Sequence, residues 1–424
     1  MRLSGDEVTG RHGAVVVGGG VNALGAVRAL AEAGVPVCVV SNLTSADLAY
    51  HSRYVREHHW PTKLGGGSEA VLELLDRRAP AWRGWALFPT NDDALELLSR
   101  NRDRLSKDYA PTFPAWEIVR GVVDKHGTYE AAARVGIELP RSYGSARLDR
   151  VRDKAFDYPL VIKPSEGPAF YRHFGKKLLL ARDESELLAA VEKVEASGLS
   201  CELLDFVPGS DRQIYHYQVY IDRDGEPAGG FALRKLRQSP PYFGVARAAE
   251  TASAPQLRER TVELLRELGW WGMASAAYKL DPRDGCYRLT EVNGRCCKSH
   301  GLACRAGINY ALLAYGESVL GERGSGVEPN GWQGVWLHLH ADLLYTARWS
   351  GSEELDWADF RRSYSGPKTY AVWSARDPKP FLAEWGRTVR KGMRMLVRRE
   401  ERDEVAGRVQ WPTPAGDRRD SRRV

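Results

Sequence analysis

No stretch of this 424-residue chain stays apolar over the roughly 20 residues that a bilayer-spanning helix needs. The first residues, Met1-Arg-Leu-Ser-Gly-Asp-Glu, form no apolar signal segment, so a cytoplasmic location is expected. Cysteine is sparse and poorly spaced for metal. The six residues, at positions 38, 201, 286, 296, 297 and 304, form no Cys-x-x-Cys pair, and no histidine lies at zinc-finger spacing from them. Cys296, Cys297, His300 and Cys304 are close in sequence, but adjacent cysteines are poor joint ligands for one tetrahedral metal. Reduced, partly buried thiols are expected. A general basic surface is missing too. Residues 385–424 carry 12 Lys/Arg against 6 Asp/Glu, and the rest of the chain holds 49 of each sign. The net charge of +6 therefore resides in the tail, which argues against nucleic acid as a partner of the body.

What is present reads as alternating strands and helices. Ala14-Val-Val-Val-Gly-Gly-Gly20 is an apolar strand entering a glycine turn, followed by a helix to about Glu32 and a second strand at Val35–Val40. This is the β-α-β opening of a Rossmann-like domain. Gly18, Gly20 and Ala23 fit a dinucleotide fingerprint. However, Ser41 and Asn42 stand where a NAD site wants an acid, so a tight turn that packs helix on strand is the plainer reading. Ala86-Leu-Phe88 leads into Pro89-Thr-Asn-Asp-Asp93. There Thr90 and Asp92 could face a ligand, or Asn91 or Asp92 could simply cap the next helix.

A second α/β region begins near residue 116. Lys125 opens a helix after Asp124, and Lys163 ends the apolar strand Tyr158–Pro164, where alternation calls for no charge. Ser165–Lys177 reads as a flexible loop rich in glycine, serine and aromatics. Near the end of this region stands Glu291-Val-Asn293-Gly-Arg295. Residues two apart on a strand share a face, so Glu291 and Asn293 offer two oxygens to a hard cation such as Mg²⁺. Arg295 adds a fork suited to phosphate or carboxylate.

The order Lys125, Val161-Ile-Lys163-Pro164, a Ser/Gly/Lys loop, Leu204-Asp-Phe-Val-Pro-Gly209, Glu291-Val-Asn293-x-Arg295 resembles the ATP-grasp superfamily. More narrowly it resembles the bacterial carboxylate–amine ligases that include D-aspartate ligase-like enzymes. The resemblance covers about residues 14–316. Asn22-Ala-Leu-Gly-Ala-Val-Arg28, Ser52-Arg-Tyr-Val-Arg56, Asp281-Pro-Arg-Asp-Gly285 and Ala306-Gly307 also carry it.

The resemblance implies an α/β (α+β) fold: a Rossmann-like domain at 1–115, then an ATP-grasp domain of two α+β subdomains at 116–320. A C-terminal extension with a basic amphipathic helix (321–404) and a disordered tail (405–424) would follow. It also implies ATP and Mg²⁺, with Mn²⁺ as the alternative ion, and a small carboxylate and an amine as partners. A homodimer stays open.

Matching positions imply roles. Lys125, Lys163 and Lys177 would contact ATP phosphates. Backbone groups of Leu204, Asp205 and Phe206 would bind adenine, and Asp211 the ribose. Glu291 and Asn293 would ligate the metal. Arg295 would steady the transferred phosphoryl group, and Arg237 would hold the acceptor carboxylate. One departure stands out: relatives carry a glutamate ligand on the preceding strand, where this chain has Ala277 in Ala277-Tyr-Lys279. Losing that carboxylate removes charge that balances the metal, which leaves an ATP-binding protein with impaired catalysis as the competing reading.

Three features remain. Trp270-Trp271 is expected in core or interface packing. Phe170, Tyr171 and Phe174 could seal the site. A helix at about Phe381–Glu401 aligns Trp385, Val389, Met393 and Leu396 on one stripe. It either packs on the body or meets an acidic partner or membrane surface.

Overall fold

Ala14-Val-Val-Val-Gly18 is apolar throughout, and it forms a strand buried along its whole length. A strand buried on both faces belongs inside a parallel sheet, and β1 (Ala14–Gly18) sits at the centre of one. With β2 (Val37–Ser41), β3 (Val55–His59), β4 (Ala86–Pro89) and β5 (Ala110–Pro111) it forms the parallel order β3-β2-β1-β4-β5. Helix α1 (Gly20–Ala31) buries Ala23, Leu24, Val27 and Leu30 against this domain, as its helical spacing dictates.

The chain is seen in a computed structural model that describes residues 12–42, 47–61, 67–165, 167–240, 242–324, 326–348 and 357–397. The expectations for Met1–Glu7 and for 405–424 lie outside these residues, as do the side chains of Met393 and Leu396. Among the described residues, no helix is long and apolar enough to cross a membrane.

Two further sheets form the rest. A small antiparallel sheet has the order β6-β9-β7-β8: β6 (Ser142–Ser145), β7 (Leu160–Pro164), β8 (Leu179–Ala181) and β9 (Cys201–Asp205). It has its own core around Leu160, Ile162, Phe170, Leu187 and Leu203. The large sheet has the order β14-β13-β10-β11-β12-β15-β16. Its strands are β10 (Ile214–Ile221), β11 (Pro227–Ser239), β12 (Val245–Ala252), β13 (Gly272–Leu280), β14 (Tyr287–Asn293), β15 (Val335–Leu337) and β16 (Lys368–Tyr370). Its core is continuous with that of the first sheet, since Val15, Val40 and Leu87 cluster with Tyr217, Ala276 and Leu289. The small sheet is thus a separately packed unit, and it meets the large sheet where Lys163 of β7 donates to the Thr290 carbonyl of β14.

The C-terminal residues complete this body. β15 pairs with β12 at the edge of the large sheet, and β16 continues it, so one sheet spans both sides of residue 320. The Asp377 carboxylate is fully buried and clamps this segment to the first domain. It accepts from Arg28 Nε at 3.0 Å, Ser52 Oγ at 2.7 Å and the Arg53 N–H at 2.9 Å.

The Ser165–Lys177 stretch departs from the loop expectation, because it contains a helix, α2 (Gly167–Phe174). Phe170 and Phe174 are one turn apart, with ring centroids separated by 4.5 Å. Phe170 is fully buried in the core of the small sheet, so it anchors the helix rather than sealing the site. Only Tyr171 of the three aromatics is exposed. Trp270 is buried, as expected of core, and Trp271 carries the guanidinium groups of Arg102 and Arg223 on its ring.

Candidate functional site

The glycine turn is filled by the chain itself. Gly18 has φ +133°, and a Cβ there would lie 2.1 Å from Thr90 Oγ1. Thr90 is fully buried and accepts from the Gly19 N–H, while Asp47 accepts from the Gly20 N–H at 3.0 Å. The donors that would meet a pyrophosphate are therefore occupied, which agrees with the packing-turn reading. Asn91 caps the next helix by accepting from the Ala94 N–H at 2.8 Å. That leaves Asp92 to reach across to Arg295.

The lysines expected at phosphate converge. Lys163 leaves β7 and donates to Tyr129 Oη at 2.5 Å and to the Thr290 carbonyl at 2.9 Å, immediately beside Glu291. Lys125 donates to the Pro164 carbonyl at 3.4 Å. Burial pulls Lys163 down to about 8. Burial, with Lys163 as a like-charged neighbour, does the same to Lys125. Lys177 is exposed, and its charge is felt by Lys125, Lys235, Glu291 and Lys298.

Glu291 is accessible to solvent, while the protein packed around it still desolvates its carboxylate. Burial alone would raise its carboxyl, but Lys235, His216, Lys177 and Lys163 outweigh that and hold it well below the usual carboxylate range. Among the described residues, no hydrogen bond or ion pair engages its carboxylate. Asn293 lies two residues on, and its Oδ1 accepts from Arg295 Nη2 at 2.9 Å. A carboxylate without a partner beside an amide oxygen is a donor set that fits a hard divalent cation. The glycine between Asn293 and Arg295 is required by packing. A Cβ on Gly294 would fall 2.3 Å from the Trp270 ring.

Several groups were not anticipated. Lys235 on β11 donates to Gln238 Oε1 at 3.1 Å, and burial lowers its pKa. Lys298 is likewise lowered by burial, to about 8, and lies over the Trp336 ring. Lys279 stands over Phe206 and Tyr242 at 5.0 and 5.8 Å. Lys235 lies in the same Arg-Lys-Leu-Arg run as Arg237, and strand alternation would give the two one face. A β-bulge between them breaks that alternation.

Two expectations are corrected by geometry. Arg237 is engaged by partners within the protein. It is buried, with Nε and Nη2 bound to the Asp342 carboxylate at 2.9 and 2.7 Å and Nη2 also bound to Ser363. Asp211 is committed as well: it accepts from the Gln238 N–H, Gln238 Nε2 and the Tyr242 N–H. Those three bonds fix the chain between β11 and β12, so Asp211 organises the loop rather than presenting a free carboxylate to ribose.

The adenine expectation is narrowed. Leu204 pairs with Ser142 on one side and Val161 on the other, which uses its backbone groups. The Asp205 carboxylate accepts from Arg283 Nη2 at 2.8 Å. The backbone leaves the ladder only past Asp205, where Phe206, Tyr242 and Phe243 form an apolar cluster under Lys279. The six cysteines are free, and no cluster of three or more metal-binding His, Cys, Asp or Glu side chains occurs among the described residues.

No protein-family model matches the chain. A D-aspartate ligase of Enterococcus faecium (strain Aus0004) is 22% identical over 318 residues, which span 70% of this chain and 74% of that one. The L-amino acid ligase of Bacillus licheniformis superposes with a TM-score of 0.57 at 17% identity, covering 73% of this chain and 75% of that one. An N5-carboxyaminoimidazole ribonucleotide synthetase in complex with ADP gives 0.59 at 14% identity, covering 80% and 87%. The biotin carboxylase domain of Hydrogenobacter thermophilus 2-oxoglutarate carboxylase, solved with MgADP, gives 0.59 at 18%, covering 77% and 74%. Three sheets in this order and these similarities show that the chain has the fold shared by these ATP-grasp proteins.

Proposed function

We propose that the protein is an ATP-dependent carboxylate–amine ligase that forms an amide or peptide bond through an acyl phosphate. The observation that carries this is the set of Lys125, Lys163, Lys177 and Lys235 around the Glu291 carboxylate, which has no partner among the described residues, with Arg295 beside it. Such a set suits a polyphosphate and a divalent ion together. Two of the similar proteins are named as ligases, of D-aspartate and of L-amino acids.

The chemistry needs positioning and charge neutralisation rather than a protein nucleophile. A carboxylate oxygen of the acid attacks the γ-phosphorus, the bond from that phosphorus to the β–γ bridging oxygen breaks, and ADP leaves. The amine nitrogen then attacks the acyl carbon, phosphate departs, and the amine loses its proton. Lys125, Lys163 and Lys177 bind phosphate oxygens, and Arg295 steadies charge on the transferred group. Glu291 and Asn293 would hold Mg²⁺, or Mn²⁺ in its place, which when bound offsets phosphate charge. Adenine lies against Phe206 and Tyr242, under Lys279. The partners are a small carboxylic acid and an amine.

The test is ADP release across a panel of amino acids and small acids, singly and in pairs. Release that requires both an acid and an amine supports the proposal. Nucleotide binding with no release across the panel counts against it. Ala277 favours one other reading, an ATP-binding protein with impaired catalysis. A silent wild type beside an active Ala277→Glu variant, in a Mg²⁺-titrated ATPase assay, would favour that one.

A further inference from the structure

Ala277 sits in the middle of a row across the large sheet. On β13 it pairs with Glu291 of β14 on one side and with His216 of β10 on the other. Cross-strand partners in an antiparallel sheet share a face, so the three side chains stand in line with only a methyl group in the middle. The space that a longer side chain at 277 would fill is bounded by an imidazole and a carboxylate.

The imidazole leans into that space. His216 Nδ1 lies 3.3 Å from Ser275 Oγ, on the same strand and face as Ala277. The other nitrogen, Nε2, is buried and has no hydrogen-bond partner among the described residues. A buried polar atom left unpaired keeps its desolvation cost without a hydrogen bond to offset it, so such atoms call for an explanation. Glu291, at the other end of the row, also has no partner among the described residues. Two orphaned metal-binding groups therefore flank a gap one residue wide. One of them is oriented through its second nitrogen by a hydroxyl, the arrangement that fixes the tautomer of metal-bound histidines.

We infer that His216 Nε2 is a protein ligand of the divalent ion held by Glu291 and Asn293, taking the place of the carboxylate that position 277 lacks. The inference rests on the metal–nucleotide reading of this site. It assigns the ion a mixed nitrogen and oxygen shell. Imidazole suits Mn²⁺ and later divalent ions better than Mg²⁺, which prefers an all-oxygen shell. The ion site would then rank Mn²⁺ above Mg²⁺ more strongly than a site built of two carboxylates and an amide.

The direct test is pulsed electron paramagnetic resonance of Mn²⁺ bound with ADP to the full chain, prepared with natural and with ¹⁵N-labelled histidine. The expected result is a nitrogen coupling that changes isotope pattern on histidine labelling and disappears in His216→Gln. In Ala277→Glu, which restores the carboxylate, the ratio of Mn²⁺ to Mg²⁺ affinity measured by calorimetry should fall at least several-fold. Bound Mn²⁺ without a histidine coupling overturns the ligand assignment and leaves the metal–nucleotide reading standing. Failure of Mn²⁺ to bind with ADP overturns both. A melting curve of His216→Gln matching that of the wild type shows that a lost coupling reflects the ligand and not the fold.

Discussion

Arg295 holds Asp92 and Asn293 at once: Nε and Nη2 lie 2.8 and 3.2 Å from the Asp92 carboxylate, and Nη2 lies 2.9 Å from Asn293 Oδ1. One guanidinium thus links the first domain to the proposed metal-binding strand. Lysine cannot reproduce this fork. We expect Arg295→Lys to lower kcat by roughly 10²-fold, the usual cost of removing one oriented donor from a developing charge. The KM for ATP should change only a few-fold. Steady-state ADP release reads both constants, and an unchanged kcat would remove Arg295 from the chemistry.

The lysines give the site a pH signature. Lys125 and Lys163 titrate near 8 in this protein, against an ordinary value of about 10.4. Bound phosphates favour their charged forms. Nucleotide binding should therefore take up protons between about pH 8 and 10, and affinity should fall as pH rises through that window. Calorimetry in buffers of different ionisation enthalpy measures the uptake. For stability the sign is opposite. The unfolded chain holds these protons more tightly, so this contribution to stability rises with pH across the same window. Lys163→Met should weaken ATP binding and flatten the pH dependence of affinity.

Arg237 is predicted to matter for stability, not for acceptor binding. Asp342 is fully buried and faces both Arg237 and Arg247. Asp342→Ala leaves two buried guanidinium groups uncompensated and should cost about 3–5 kcal/mol, read by urea unfolding. If Arg237→Met left stability untouched and raised only the KM of the acid, the substrate role would return.

Gly294→Ala places a methyl group against the Trp270 ring. Overpacking of this kind costs about 1–3 kcal/mol. Because Asn293 and Arg295 flank the glycine, activity should fall further than the melting temperature alone explains. Wild-type activity in a folded variant would show that the ring can move aside.

The order of chemistry-bearing residues was legible in the sequence because each lies where a strand or helix ends, a place that local pattern marks. Lys163 closes an apolar strand and Lys125 opens a capped helix, so both could be singled out. Lys235 and His216 lie inside long strands, where a polar residue at an alternating position looks like an ordinary solvent-facing one. Only the pairing of β10, β13 and β14 reveals that His216 and Glu291 flank Ala277. No local pattern marks the pairing of Arg237 with Asp342, which stands 105 residues further along the chain. The groups that engage Asp211, on Gln238 and Tyr242, are likewise distant in sequence. The last two strands of the large sheet, β15 and β16, have three residues each, too few to show a period.

Isotope transfer reports on the acyl phosphate itself. The acid is supplied with both carboxylate oxygens as ¹⁸O, together with ATP, a divalent ion and the amine, and the released phosphate is examined by ³¹P nuclear magnetic resonance. One ¹⁸O is expected in each phosphate released, matched by amide formation. ADP accompanied by unlabelled phosphate would contradict it, because water rather than the carboxylate would then have taken the phosphoryl group.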